Sequence, residues 1–195
     1  MREGSLLVLG ALFALLTGCA AADAAGPANV MEPLGVGMPP VEVWSVKPKV
    51  WVCEDSPFTV TAVQNALDAW ASHGAPRLKA KEYGAICDAD MLGKPGTVVV
   101  GRRVYWGEAE DDYWIDGAIG QTMVSDVTVP RTWAIIHFDY AQPVDFISLR
   151  HEVGHLWFDH VDDRRHLMYP ARVPGGNWSW EGIDEAFEST PVYVK

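Results

Sequence analysis

Apolar and polar positions change rhythm several times along the chain, and each change marks an element. From Val41 to Cys53 they alternate, with many Val and Trp, which predicts a strand. Asp55-Ser56-Pro57 then punctuates a helix start, with Ser56 as N-cap and Pro57 at the first helical position. Val60, Val63, Leu67 and Trp70 follow at helical spacing, and His73-Gly74 is the stop. His73 reads as a favourable charge at a helix C-terminus rather than as a ligand. Thr97–Gly101 is a short buried strand, Gly117–Val129 alternates weakly, and Thr132–Phe138 is a further strand. A second helix spans Val144–Phe158 and a short one Trp180–Glu188, after a Gly/Pro/Trp-rich stretch from Pro170 to Trp180. No internal repeat is visible. Strands mixed with separated helices predict an α+β domain over residues 41–195.

The first forty residues belong to no such pattern. Leu6–Leu16 is an apolar run that as helix would reach only ~16 Å, about half the hydrocarbon thickness of a bilayer, so it reads as a signal h-region. The ending Leu16-Thr17-Gly18-Cys19 resembles the bacterial lipobox. That resemblance implies a signal peptide over 1–18, acylation of Cys19, and a lipid anchor in the membrane of a bacterial envelope. No Asp follows Cys19, which by analogy with enterobacterial sorting points to the outer membrane. Residues 19–40 read as a flexible tether.

Of the 195 residues, 49% are apolar and 21% charged, which excludes wholesale disorder. The net charge of −11, with no basic cluster beyond Arg102-Arg103 or Arg164-Arg165, argues against nucleic acid as a partner. With Cys19 set aside, Cys53 and Cys87 remain. In an oxidising envelope they predict one disulfide, whose loop is worth on the order of 3–4 kcal/mol. The acidic run Glu108, Glu110, Asp111, Asp112 and Asp116 could hold Ca²⁺, but without the spacing of a defined calcium loop a solvated surface is the better reading. The chain has nine tryptophans, of which Trp106, Trp114, Trp178 and Trp180 sit in loop-like segments. They read as core and rim packing rather than as a binding surface.

His151-Glu152-Val153-Gly154-His155 is the strongest chemical signal. Helical positions four apart differ by ~40° in azimuth, so both imidazoles aim at one point and suit two positions of a tetrahedral Zn²⁺. Glu152 beside them can take a proton from a water at the metal. A catalytic site usually takes three protein ligands, and His160 is the next candidate. On a continuous helix His160 would point ~180° from His151, so the helix must end between Leu156 and Asp159. No glycine is there to make the turn, though Asp159 tolerates left-handed geometry. Asp159, Asp162, Asp163, His166, Glu181 and Glu185 are the reserves.

The stretch His151-Glu-Val-Gly-His155-Leu-Trp-Phe-Asp-His160, followed by Leu167-Met168-Tyr169-Pro170, resembles the zinc site and Met-turn of metzincins, nearest to matrixin-type peptidases. The resemblance implies a twisted sheet with an active-site helix, peptide-bond hydrolysis of a peptide or protein substrate, His151, His155 and His160 as zinc ligands, Glu152 as general base, and Met168 as an apolar floor. It further implies that Gly117–Val129 pairs with an extended substrate. His137-Phe138-Asp139 is similar to a matrixin segment for structural metals, yet reads more simply as part of a strand. The family pattern His-Glu-x-x-His-x-x-Gly-x-x-His departs here: the glycine is missing and His160 comes one residue early. Two other readings stay open. One takes a distal acid as the third ligand; the other is a non-catalytic envelope lipoprotein with a structural zinc, for which Glu152 would have no use.

Overall fold

A computed structural model describes residues 38–87, 91, 93–102, 119–125, 130–139, 144–171 and 178–193. The signal peptide, Cys19, nearly all of the tether, and the acidic run with Trp106 and Trp114 lie outside the described residues.

Among the described residues the chain runs β1 (Lys49–Val52), α1 (Val60–Ser72), β2 (Ala80–Glu82), β3 (Thr97–Arg102), β4 (Gly120–Val124), β5 (Trp133–Phe138), α2 (Phe146–Gly154) and α3 (Ile183–Ser189). The class is α+β, with a five-stranded sheet in the order β2-β1-β3-β5-β4. β1 pairs in parallel with β2 and β3, and β3 with β5, while β4 runs antiparallel to β5 at one edge. β3 is buried on both faces, which explains its unbroken apolar run Val98-Val99-Val100. Val98 and Val100 join Ile136, Phe138 and the apolar sides of α1 and α2 in the main core. Val99 faces the other way, against Cys53, Cys87 and Met91. Cys53 and Cys87 are disulfide-bonded there, with Cα atoms 5.4 Å apart.

Several boundaries differ from the sequence expectation. The strand of 41–53 shrinks to Lys49–Val52 because Pro48 offers no N–H to a ladder; upstream, Trp44 makes only isolated bridges to Arg131 and Tyr193. Helix α1 is capped by Thr59, whose side chain accepts from the Ala62 N–H at 3.2 Å. Ser56 instead closes a turn by accepting from the Phe58 N–H, so Pro57 lies before the helix. Helix α2 starts at Phe146 behind the cap Asp145 and stops at Gly154, four residues short of Phe158. Helix α3 starts at Ile183 rather than Trp180 because Gly182 is left-handed (φ +80°). β2 has no alternation to announce it, being only Ala-Lys-Glu.

Candidate metal centre

Helix α2 lies against α1 and beside β4. Gly154 is what allows this approach. A Cβ there would stand 2.3 Å from Met168 Sδ and 2.3 Å from the Trp70 ring, so only glycine lets both pack onto the end of α2. Trp70 also donates its indole N–H to the Arg150 carbonyl at 2.7 Å, fastening α1 to the last turn of α2.

On that turn the Nε2 atoms of His151 and His155 are 3.2 Å apart. His151 Nδ1 lies 2.7 Å from the Leu167 carbonyl, and His155 Nδ1 lies 2.9 Å from the Phe158 carbonyl. A carbonyl can only accept, so both Nδ1 atoms carry the hydrogen and both Nε2 atoms present lone pairs. Burial pushes His151 down to about 4 and His155 down to about 3, which keeps them in the neutral, ligating form. Two lone pairs facing each other at 3.2 Å repel unless a cation lies between them.

His160 joins this pair. Its ring centroid is 4.6 Å from that of His155 and 5.4 Å from that of His151. The ligand atoms of the three histidines all lie within 4.8 Å of one another, so they can hold a metal ion. Among the described residues this is the one such group of three or more His, Cys, Asp or Glu.

The turn that returns His160 to the helix uses no glycine. The backbone tightens after Gly154, with Leu156 N–H donating to Val153 O and Trp157 N–H to Gly154 O. The carbonyls that a continued helix would have used are taken by distant groups. Arg131 Nη1 donates to His155 O, the Trp44 indole to Leu156 O at 2.8 Å, and the Glu42 N–H to Trp157 O at 2.7 Å. His155 Nδ1 takes Phe158 O. Arg131 is 1% exposed; burial lowers its pKa, and the neighbouring charges of Glu42 and Asp159 oppose that shift.

Glu152 projects from α2 toward β4 and is buried. Thr122 Oγ1 on β4 is 2.7 Å from Glu152 Oε2 and 2.9 Å from Glu152 O. Burial raises the carboxyl to about 7, and the Thr122 hydrogen bond works against that shift.

Leu167 and Met168 brace the end of helix α2. Leu167 supplies the carbonyl that orients His151, and Met168 is fully buried against Gly154. His166, a reserve ligand, is fully buried and engaged elsewhere: Nδ1 accepts from the Met168 N–H at 3.0 Å, and Nε2 lies 3.2 Å from Glu181 O. Asp163 pairs with Arg165. Asp159 lines the cleft, and neither it nor Asp162, Glu181 or Glu185 joins the cluster. His73 stacks on Trp180 and bonds Asp184 at 2.7 Å, while His137 lies buried in β5. Trp180 packs edge-on against Trp70; Trp178 lines the cleft.

A cleft of about 700 Å³ opens over the histidines, lined by Ile119–Thr122 and by Tyr169, Pro170 and Trp178. Thr122, Gly120, Arg131 and Trp44 carry no signal of this role in the sequence, because their partners lie far away along the chain. No protein-family model matches this chain, and the curated proteins contain no match to it.

Proposed function

We propose that the chain is a zinc-dependent endopeptidase of metzincin type. The observation that carries this reading is the set of three clustered imidazoles, two of them held neutral by burial, with Glu152 next to them. Tetrahedral Zn²⁺ with Zn–N bonds of about 2.05 Å separates its nitrogens by ~3.3 Å, close to the spacing of His151 and His155. His160 in the same cluster favours the three-histidine set over a distal acid. A structural zinc site would be closed by four protein ligands. Among the described residues the cluster has three, which leaves a position for water.

Zinc, when bound, supplies a Lewis acid that acidifies a water and polarises a carbonyl. Glu152 then accepts a proton from the attacking water and returns it to the amine nitrogen as the peptide C–N bond breaks. β4, at the edge of the sheet and along the cleft, can pair with an extended substrate backbone and hold its carbonyl over the histidines. Leu167 and Phe158 keep the ligand tautomers fixed throughout. The resemblances at residues 6–19 and 146–170 extend the reading to a lipoprotein that works in the bacterial envelope, anchored through Cys19, with the outer membrane as its place.

The test is hydrolysis of fluorescein-labelled casein by the zinc-loaded chain, beside Glu152→Gln and His160→Ala. Glu152→Gln should keep a single zinc and lose ~10²–10⁴-fold in rate. His160→Ala should lose zinc. No hydrolysis by the zinc-loaded parent, or full activity in Glu152→Gln, overturns the reading.

A further inference from the structure

The edge strand that borders the cleft is also the strand that seats Glu152. Gly120 and Thr122 are two apart on β4 and therefore share a face. At Gly120 a Cβ would stand 3.0 Å from Glu152 Cγ and 2.7 Å from the Phe138 ring, so the missing side chain is the space the glutamate stem occupies. At Thr122 the hydroxyl reaches Oε2 at 2.7 Å and the Glu152 backbone oxygen at 2.9 Å. A hydroxyl has one hydrogen to give. Glu152 O already accepts from the His155 N–H, and a carboxylate is the stronger acceptor, so the hydrogen belongs to Oε2.

We propose that Thr122 is a positioning residue for Glu152: its hydroxyl pins Oε2 and leaves Oε1 as the oxygen that meets the attacking water. This rests on the peptidase reading. A glutamate side chain has three rotatable bonds, and here packing at Gly120 and the hydrogen bond to Thr122 restrain both its stem and its head. Ile119, Gly120, Gln121 and Thr122 line the cleft, so a substrate laid along β4 is seated by the same backbone that orients the base. Strand and base therefore keep one register.

The experiment uses the full zinc-loaded chain with Thr122→Val, which removes the hydroxyl at nearly constant shape, and Thr122→Ser, which restores it. With a quenched fluorescent peptide that the parent cleaves, Thr122→Val should lower kcat about tenfold with KM unchanged, and Thr122→Ser should regain most of it. Zinc content should stay at the parental value in both; Thr122→Val, which leaves a buried carboxyl without its donor, should lower the thermal midpoint by about 2–4 °C and Thr122→Ser should not. A second readout needs no turnover. The infrared carboxylate band that disappears in Glu152→Gln should shift in Thr122→Val and not in Thr122→Ser. Parental kcat in Thr122→Val, a defect in KM alone, or an unmoved carboxylate band overturns the proposal. An inactive parent whose carboxylate band still follows Thr122 overturns the peptidase reading and leaves the anchoring of Glu152 standing.

Discussion

Between Phe146 and Gly154 the backbone satisfies itself: Asp145 caps the start, and the helical period alone brings His151 and His155 onto one side. Between His155 and His160 local bonds tighten the turn but leave most of its carbonyls to distant groups. There three consecutive carbonyls are held by Arg131, by Trp44 and by the backbone of Glu42, from 24 to more than 100 residues away. Two histidines of the cluster thus stand on a helix of local pattern, and the third on a turn braced from across the domain. A glycine would have made such a turn within its own segment. Its absence transfers much of the work to tertiary contacts, and with it the placement of the third histidine.

That contrast can be broken from either side. The largest effect is expected at the helix, where Gly154→Ala forces a methyl against Met168 Sδ and the Trp70 ring; urea unfolding should show a loss of about 3 kcal/mol. On the turn, Arg131→Met leaves the His155 carbonyl without its buried donor. Stability should fall by about 2 kcal/mol, and zinc affinity, measured by competition with a chromogenic chelator, by at least ~10-fold. Parental zinc affinity in this variant would show that the turn holds itself. The smallest effect belongs to Trp44→Phe, which keeps a ring in the core and removes one indole N–H. It should lose about 1 kcal/mol and weaken zinc less than Arg131→Met does.

The same division decides what could be read in advance. The His151–His155 pair and the Cys53–Cys87 bridge are legible in the sequence, as are the runs at β3 and β5: spacing, residue type and local period carry each of them. His160 is legible as a candidate, because its distance from His155 demands an early helix end, and α2 does end early. What holds the turn is not legible. Arg131 is an isolated basic residue before a strand, and Trp44 belongs to an alternation that Pro48 cuts short. Thr122 sits in a weakly alternating stretch, where its hydroxyl acquires meaning only once β4 lies beside α2. Pattern reports what a segment can do alone, and these residues act across the fold.

The indole of Trp44 meets a carbonyl that comes 112 residues later in the chain, and its backbone N–H meets the carbonyl of Val192. A ribosome makes the chain from the N-terminus, so Trp44 emerges long before either partner exists. Parallel strand pairs add to the delay, since each needs a distant stretch of chain to return. The turn that carries His160 leans on a residue, Trp44, whose own backbone is held from Val192. A nascent chain can already display the His151–His155 pair while the brace on the third histidine still waits for the segment around Val192 to hold Trp44.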